Sequence, residues 1–332
     1  MAKILVSIIA YREKDLKATV ASCYENAKNK ENLLFSIVEE DHPENYSDLS
    51  FIPENQILYR KYDLSDYRGI LWARNHSTEV EFEYDYILYI CGHTMFNKNW
   101  DETCLKEYKK ALDKRGSYQA VLTFCGPDYE VYADGSINYD NTSLGRNDNY
   151  YIPSISKEFK PGFWFPTAAV PPKDGEVHEH YWIHYTWCFA NKKLVEEVPL
   201  DPEMNFNGEE PYTTVQAWCR GWRFYATSET LYWHHTSRKY VDEDKPRYVT
   251  HRPWVDKNKE KYWKNSDESM LKLNRLLSGN LTGKYGDITK NQVLEFCKKS
   301  GMDERYTEYN PEYHKTEGYQ HCVSLRHADP VE

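Results

Sequence analysis

Through the first 125 residues, short apolar runs alternate with helical stripes. Lys3 to Ala10, Leu33 to Val38, Ile57 to Tyr62, Tyr86 to Ile90 and Ala120 to Phe124 are compact β-rich segments. Between them, Asp15 to Ala27 sets Leu16, Val20, Cys23, Tyr24 and Ala27 on one helical face, and Trp100 to Leu112 reads as a second helix. Strands this uniformly apolar are buried on both faces, and their alternation with helices predicts an α/β fold with a mostly parallel, doubly wound sheet.

The pattern then changes. Residues 126 to 180 intersperse Pro, Gly, Asn, Asp and Tyr without a sustained period, as a functional loop or lid does. A strand is expected through Trp182 to Ala190, then a helix over Lys192 to Val198. After the turn Pro199-Leu200-Asp201-Pro202, a further helix opens at Gly208-Glu209-Glu210 and ends near Gly221. From Lys239 the chain is polar, with helices expected at Glu268 to Leu277 and Lys290 to Ser300. The aromatic, polar tail after Met302 shows no period, and no internal repeat is visible.

Candidate chemistry gathers at two places. The apolar run Tyr86-Ile87-Leu88-Tyr89-Ile90 ends in Cys91-Gly92-His93, and ligands of open α/β sheets sit at the carboxyl ends of strands. Further on, the acidic pair Glu209-Glu210 and the double histidine of Trp233-His234-His235-Thr236-Ser237-Arg238 bring two carboxylates and two imidazoles close together in sequence. Glu209 and Glu210 fall where a helix macrodipole favours carboxylates, so ordinary first-turn acids are the alternative to a role in catalysis.

The chain resembles the GlcNAc-type glycosyltransferases related to the enzyme that modifies hydroxyproline on the ubiquitin-ligase adaptor Skp1. The matching stretches are Ser7-Ile8-Ile9-Ala10-Tyr11-Arg12, Trp72-Ala73-Arg74-Asn75, Ile90-Cys91-Gly92-His93 with Asn99-Trp100-Asp101, and Val198-Pro199-Leu200-Asp201-Pro202. To these are added Gly208-Glu209-Glu210, Trp218-Cys219-Arg220-Gly221, and His234-His235 with Ser237-Arg238-Lys239. The resemblance spans roughly residues 4 to 305, and the order of the stretches carries it.

It implies a GT-A, Rossmann-like fold and a retaining transfer from a UDP-sugar, by analogy UDP-GlcNAc, to a hydroxyl of a macromolecule such as protein or glycan. Residues 1–240 would form the catalytic domain and 241–332 an aromatic-rich helical extension packed on it. Glu209 and Glu210 would be the catalytic acids. Ala10, Tyr11, Arg12, Arg74, Cys91, Trp187 and Arg238 would contact the donor, and His93 and His234 would hold a divalent metal, Mn²⁺ by analogy, with His235 as the substitute ligand. The family pattern at the strand end is Asp-x-His, whereas position 91 here is Cys. A thiolate suits zinc, while Mn²⁺ and Mg²⁺ prefer oxygen. Three accounts follow: a metal held by the histidines and the diphosphate, a metal-independent enzyme relying on Arg and Lys, or a chain without activity.

Composition narrows the partners. The net charge of −10 gives no general attraction to nucleic acid or anionic membrane. Arg238 to Lys299, however, holds 15 Lys and Arg against 9 Asp and Glu. This basic stretch, with 29 Tyr and 10 Trp, opens a second acceptor class, hydroxymethylated pyrimidine in DNA as sugar-adding bacteriophage enzymes modify it. A non-catalytic sugar-nucleotide-binding module is the rival outside the enzyme class. No stretch reaches the roughly 20 apolar residues of a membrane span. The eight cysteines lack Cys-x-x-Cys spacing and read as free thiols, so a soluble, cytoplasmic protein is expected.

Overall fold

The computed structural model describes residues 2–132, 135–139, 152–155, 166–169, 174–235, 239–241, 246–248, 258–317 and 319–320. In chain order the strands are β1 (Ile4–Tyr11), β2 (Leu33–Asp41), β3 (Ile57–Asp63), β4 (Tyr86–Cys91), β5 (Thr94–Phe96), β6 (Ala120–Thr123), β7 (Glu130–Tyr132), β8 (Ile137–Asn138), β9 (Ile152–Ile155), β10 (Pro166–Ala169), β11 (His178–His180), β12 (Cys188–Asn191), β13 (Arg223–Ala226), β14 (Tyr232–His234), β15 (Lys239–Val241) and β16 (Pro246–Tyr248). The helices are α1 (Leu16–Asn26), α2 (Ile70–Ser77), α3 (Trp100–Arg115), α4 (Lys193–Glu197), α5 (Glu209–Cys219), α6 (Lys259–Leu277) and α7 (Lys290–Ser300).

Eight strands form one sheet in the order β11-β13-β6-β12-β4-β1-β2-β3. β1 runs parallel to both β2 and β4, and β2 is parallel to β3; β12 enters antiparallel between β4 and β6. This is the α/β architecture expected for a GT-A chain. Alternation along β1 explains the layering. Ile4, Val6 and Ile8 join the core beneath α1 and α3, whereas Leu5 joins the opposite core with residues of α2, α5, α6 and α7. Ser7 also faces α2, where its hydroxyl meets that of Ser77 at 2.5 Å. Because α6 and α7 contribute Met270, Leu273, Val293 and Phe296 to the same core as Leu5 and Ile87, the C-terminal helices share their burial with the sheet.

Two expectations are corrected. The run Trp182 to Ala190 is extended only from Cys188; before that it is a buried loop. Its backbone donors are satisfied by side chains instead of a strand partner: Ile183 N–H donates to Thr214 Oγ1 (2.9 Å), His184 N–H to Thr123 Oγ1 (2.8 Å) and Tyr185 N–H to Glu210 Oε1 (3.0 Å). α6 begins at Lys259, about two and a half turns before the expected start at Glu268; Ser266 in this first part and Ser269 just beyond it are buried polar positions that do not read as an apolar stripe. Both serve Asn205, whose Nδ2 donates to Ser266 Oγ (3.2 Å) and whose N–H donates to Ser269 Oγ (2.7 Å). The tail beyond Met302, for which the sequence offered no reading, places Tyr306, Tyr313 and Tyr319 against the helical core.

About half of the loop expected at residues 126 to 180 lies outside the described residues; the described half holds the paired strands β7 and β8, the pair β9 and β10, and β11, which joins the main sheet beside β13. Among the described residues no helix is long and apolar enough to cross a membrane, and the seven described cysteines are free.

Candidate functional site

The chain lays β2 and β3 on one side of β1 and then crosses to place β4 on the other. The crevice outside the carboxyl ends of β1 and β4 is therefore a topological switch point, the place where open α/β sheets bind ligands. Ala10 and Tyr11 end β1, and Cys91 ends β4. The two ends meet closely. A Cβ on Gly92 would lie 2.9 Å from Glu13 Cγ and 3.2 Å from Ala10 Cβ, so glycine permits the approach. Arg12 then turns the chain with a positive φ of 49°, its N–H donating to the Glu40 carbonyl (2.9 Å).

A short ribbon brings in the distant histidine. β5 pairs antiparallel with β14, setting His234 opposite Thr94, while His235 N–H donates to the His93 carbonyl (3.1 Å). The His93 and His234 rings lie 4.5 Å apart, only 8% and 9% exposed. Cys91, His93 and His234 each offer a ligating atom, and these atoms lie within 4.8 Å of one another, close enough to hold a metal ion. Glu13 Oε2 is 2.9 Å from His93 Nδ1, which leaves Nε2 as the ligating nitrogen and fixes the ring as carboxylates do around bound metals. His235 is not part of this group. Its Nδ1 is 2.9 Å from Asp15 Oδ2 and its ring stacks on Tyr129 at 4.7 Å, so the substitute-ligand expectation fails on geometry.

Alternation along β4 points Cys91 toward α2, where Arg74 is fully buried. Arg74 Nη2 donates to the Tyr185 carbonyl (3.4 Å) and to Cys91 Sγ (4.0 Å), and its guanidinium lies 4.2 Å from the Tyr185 ring centroid. Its Nε and Nη1 make no hydrogen bond. Burial works against the charge, but Glu209, then Cys91, outweigh it and hold the Arg74 pKa above its ordinary value.

The acidic pair divides its work. Glu209 is buried at the start of α5 and faces Arg74 electrostatically. Glu210 holds the 182–187 loop, with Oε1 accepting from Tyr185 N–H and Oε2 from Trp182 Nε1 (3.1 Å). His184 lies beside it, Nδ1 3.6 Å from Glu210 Oε1; burial opposes its charge, but Cys125 and Glu210 push its pKa up to about 9.

The structure thus joins Ala10, Arg74, Cys91, His93, His234 and Glu209 around one crevice. Tyr11 stands on its α6 side, its hydroxyl accepting from Asn258 Nδ2 (2.9 Å) and its ring edge-on to Tyr67 at 5.3 Å. Trp187, expected to line a sugar pocket, is instead core: it has no exposed surface, stacks on Tyr232 at 4.9 Å and meets Trp100 edge-on. Arg238 lies outside the described residues. Sequence reasoning missed Glu13 and Asp15, the carboxylates behind the histidines, as well as Tyr185 and the Cys125–His184 contact. The only sequence signal for the first two was their place just after a strand that ends at the crevice.

A family model described as Glycosyltransferase (GlcNAc) matches residues 44–307. Among solved structures, that of GalNAc-T7 with UDP, GalNAc and Mn²⁺ is 14% identical with a TM-score of 0.46, covering 90% of this chain and 55% of its own. The 1-349 fragment of S. aureus TarS is 14% identical with a TM-score of 0.48, covering 98% and 75% respectively. Its complex with UDP-GlcNAc gives 14% identity, a TM-score of 0.47 and coverage of 98% and 76%. This chain spans only about half the length of the GalNAc-T7 chain. No curated protein matches the sequence.

Proposed function

Because the chain belongs to the GlcNAc glycosyltransferase family, we propose that it moves a sugar, GlcNAc by that relationship, from a UDP donor to a hydroxyl of a protein or glycan. The anomeric configuration is retained. Residues 1–240 carry the donor and acceptor sites and 241–332 are an extension on them; the reducing cytoplasm suits the free cysteines. One observation carries this reading. At the switch point, three metal-ligating side chains stand beside a fully buried arginine that has unbonded nitrogens, a combination suited to a diphosphate.

A divalent cation held by Cys91, His93 and His234 would supply positive charge against the leaving diphosphate. The protein's own groups do the rest. Arg74, whose buried Nε and Nη1 have no hydrogen-bond partner, supplies positive charge behind Cys91 that acts on the diphosphate at low dielectric, where it is worth far more than at the surface. Glu13 keeps the His93 ring oriented, and Glu210 keeps the loop carrying Tyr185 in place. Glu209, at the mouth of α5, orients the sugar or the acceptor hydroxyl and stabilises an oxocarbenium-like state. Front-face displacement, in which the departing phosphate takes the acceptor proton, accounts for retention without a covalent carboxylate intermediate. Tyr11, Arg12 and the Ala10 backbone flank the nucleotide.

The test is a thermal-shift panel of UDP-sugars with and without Mn²⁺, followed by hydrolysis and transfer assays. A true donor raises the melting temperature by mass action, UDP competes with it, and Arg74→Ala weakens both markedly. If no UDP-sugar binds or is hydrolysed, the reading fails. DNA is the second acceptor reading, favoured by exposed Lys259, Lys261 and Lys264 on α6. It predicts label transfer to hydroxymethylcytosine DNA, with binding that drops steeply as salt rises and flattens when Lys257, Lys259 and Lys261 become Ala.

A further inference from the structure

We propose that the ion at Cys91, His93 and His234 is zinc, and that the cysteine makes this a zinc-selective site. The inference deepens the function proposed above by naming the ion at the same cluster. Its readouts do not depend on donor binding.

The donor set decides the ion. It contains one sulfur and two imidazoles and no carboxylate. Among the described residues no carboxylate joins the group, and Glu13 is engaged with His93 Nδ1. Mn²⁺ and Mg²⁺ favour oxygen ligands, whereas zinc accepts thiolate and imidazole together and stands well above Mn²⁺ in the general affinity order. Three protein ligands with one further position is the arrangement of zinc sites that act on a bound oxygen.

Geometry agrees. Zn–S near 2.3 Å and Zn–N near 2.0–2.1 Å at tetrahedral angles place ligand atoms roughly 3.3–3.6 Å apart. The three atoms already lie within 4.8 Å of one another, so side-chain rotations of the order of 1 Å complete the site. Two contacts fix the ligand side chains in place. Arg74 Nη2 donates to Cys91 Sγ (4.0 Å). Glu13 Oε2, 2.9 Å from His93 Nδ1, orients that ring as outer partners of zinc-bound histidines do.

The experiment is metal analysis of the full chain purified without chelator, combined with cobalt substitution. We expect one zinc per chain. The Co²⁺ form should show a sulfur-to-cobalt charge-transfer band in the near ultraviolet, absent in Cys91→Ser. That variant should lose zinc affinity by more than the roughly 10–100-fold that removal of an outer partner costs, and Cys91→Asp should reverse the preference toward Mn²⁺. The melting temperature of each metal-free variant serves as the folding check. His235→Ala, which removes a histidine outside the group, should retain the charge-transfer band and so show that the signal belongs to Cys91, His93 and His234. Equal zinc content in wild type and Cys91→Ser, or Mn²⁺ bound more tightly than zinc by the wild type, overturns the proposal. UDP binding is measured in the same samples, so a chain that binds zinc without UDP refutes the sugar-nucleotide reading alone, and one that binds UDP without zinc refutes this one alone.

Discussion

Glu40, next to last in β2 and paired with Tyr11 at the end of β1, is only 4% exposed, and burial raises its pKa from 4.5 to about 7 against the pull of the Arg68 backbone N–H, Lys261 and Arg68. In the unfolded chain the same carboxyl ionises near 4.5. Between those values the folded protein keeps a proton that the unfolded chain releases, so rising pH favours unfolding. The stabilisation is whole below about pH 4.5, falls progressively, and is lost once pH has risen through 7. At about 1.4 kcal/mol per unit, a rise from 4.5 to about 7 amounts to about 3.5 kcal/mol. With an unfolding entropy of about 2.1 cal/mol/K per residue over this length, that is a shift of about 5 °C in Tm. Glu40→Gln removes the titration and keeps an acceptor for the Arg68 N–H, which now reaches Oε1 at 3.3 Å. The assay is thermal unfolding of both proteins from pH 5 to 8. The Tm of Glu40→Gln minus that of wild type should climb by several degrees up to pH 7 and then level off. Parallel curves across the range refute the reasoning, because every other titrating group is common to both.

Three further outcomes follow from the same contacts. Glu210→Ala leaves the Tyr185 N–H and the Trp182 indole N–H without their acceptor, and chemical denaturation should show a loss of about 3 kcal/mol, since hydrogen bonds to charged groups contribute about 1.5–3 kcal/mol each. Trp187→Ala should cost about 3–5 kcal/mol in the same assay while UDP affinity of the folded fraction stays unchanged; a selective loss of UDP binding would return the indole to the donor site. Gly92→Ala should lower stability and metal affinity together, measured by Tm and zinc titration, because the new methyl separates Glu13 and Ala10 from the β4 end.

The parallel half of the sheet was legible because its strands are continuous apolar runs, and His93 was legible because it follows one of them. Trp182 to Tyr185 misled for the same reason: an apolar run reads as strand, and nothing local shows that Glu210, Thr214 and Thr123 take its backbone donors. The first half of α6 was hidden because its buried face includes the polar Ser266, which, like Ser269 a turn later, is paired with an asparagine about sixty residues away. Trp187 shows the limit of residue type as evidence, since an indole suits a sugar face and a core equally well. Cys91 was noticed as a departure from the family pattern; that Arg74 stands against its sulfur required the fold.

The ribbon of β5 and β14 has a consequence for how the protein is made. His93 leaves the ribosome with β4, but His234 follows about 140 residues later, after the last strands of the main sheet. A nascent chain thus carries Cys91 and His93 as an incomplete pair for about 140 residues of synthesis, until the ribbon closes. If the proposed ion binds there, its capture has to wait for β14, and chains cut short before the ribbon closes would lack the third ligand.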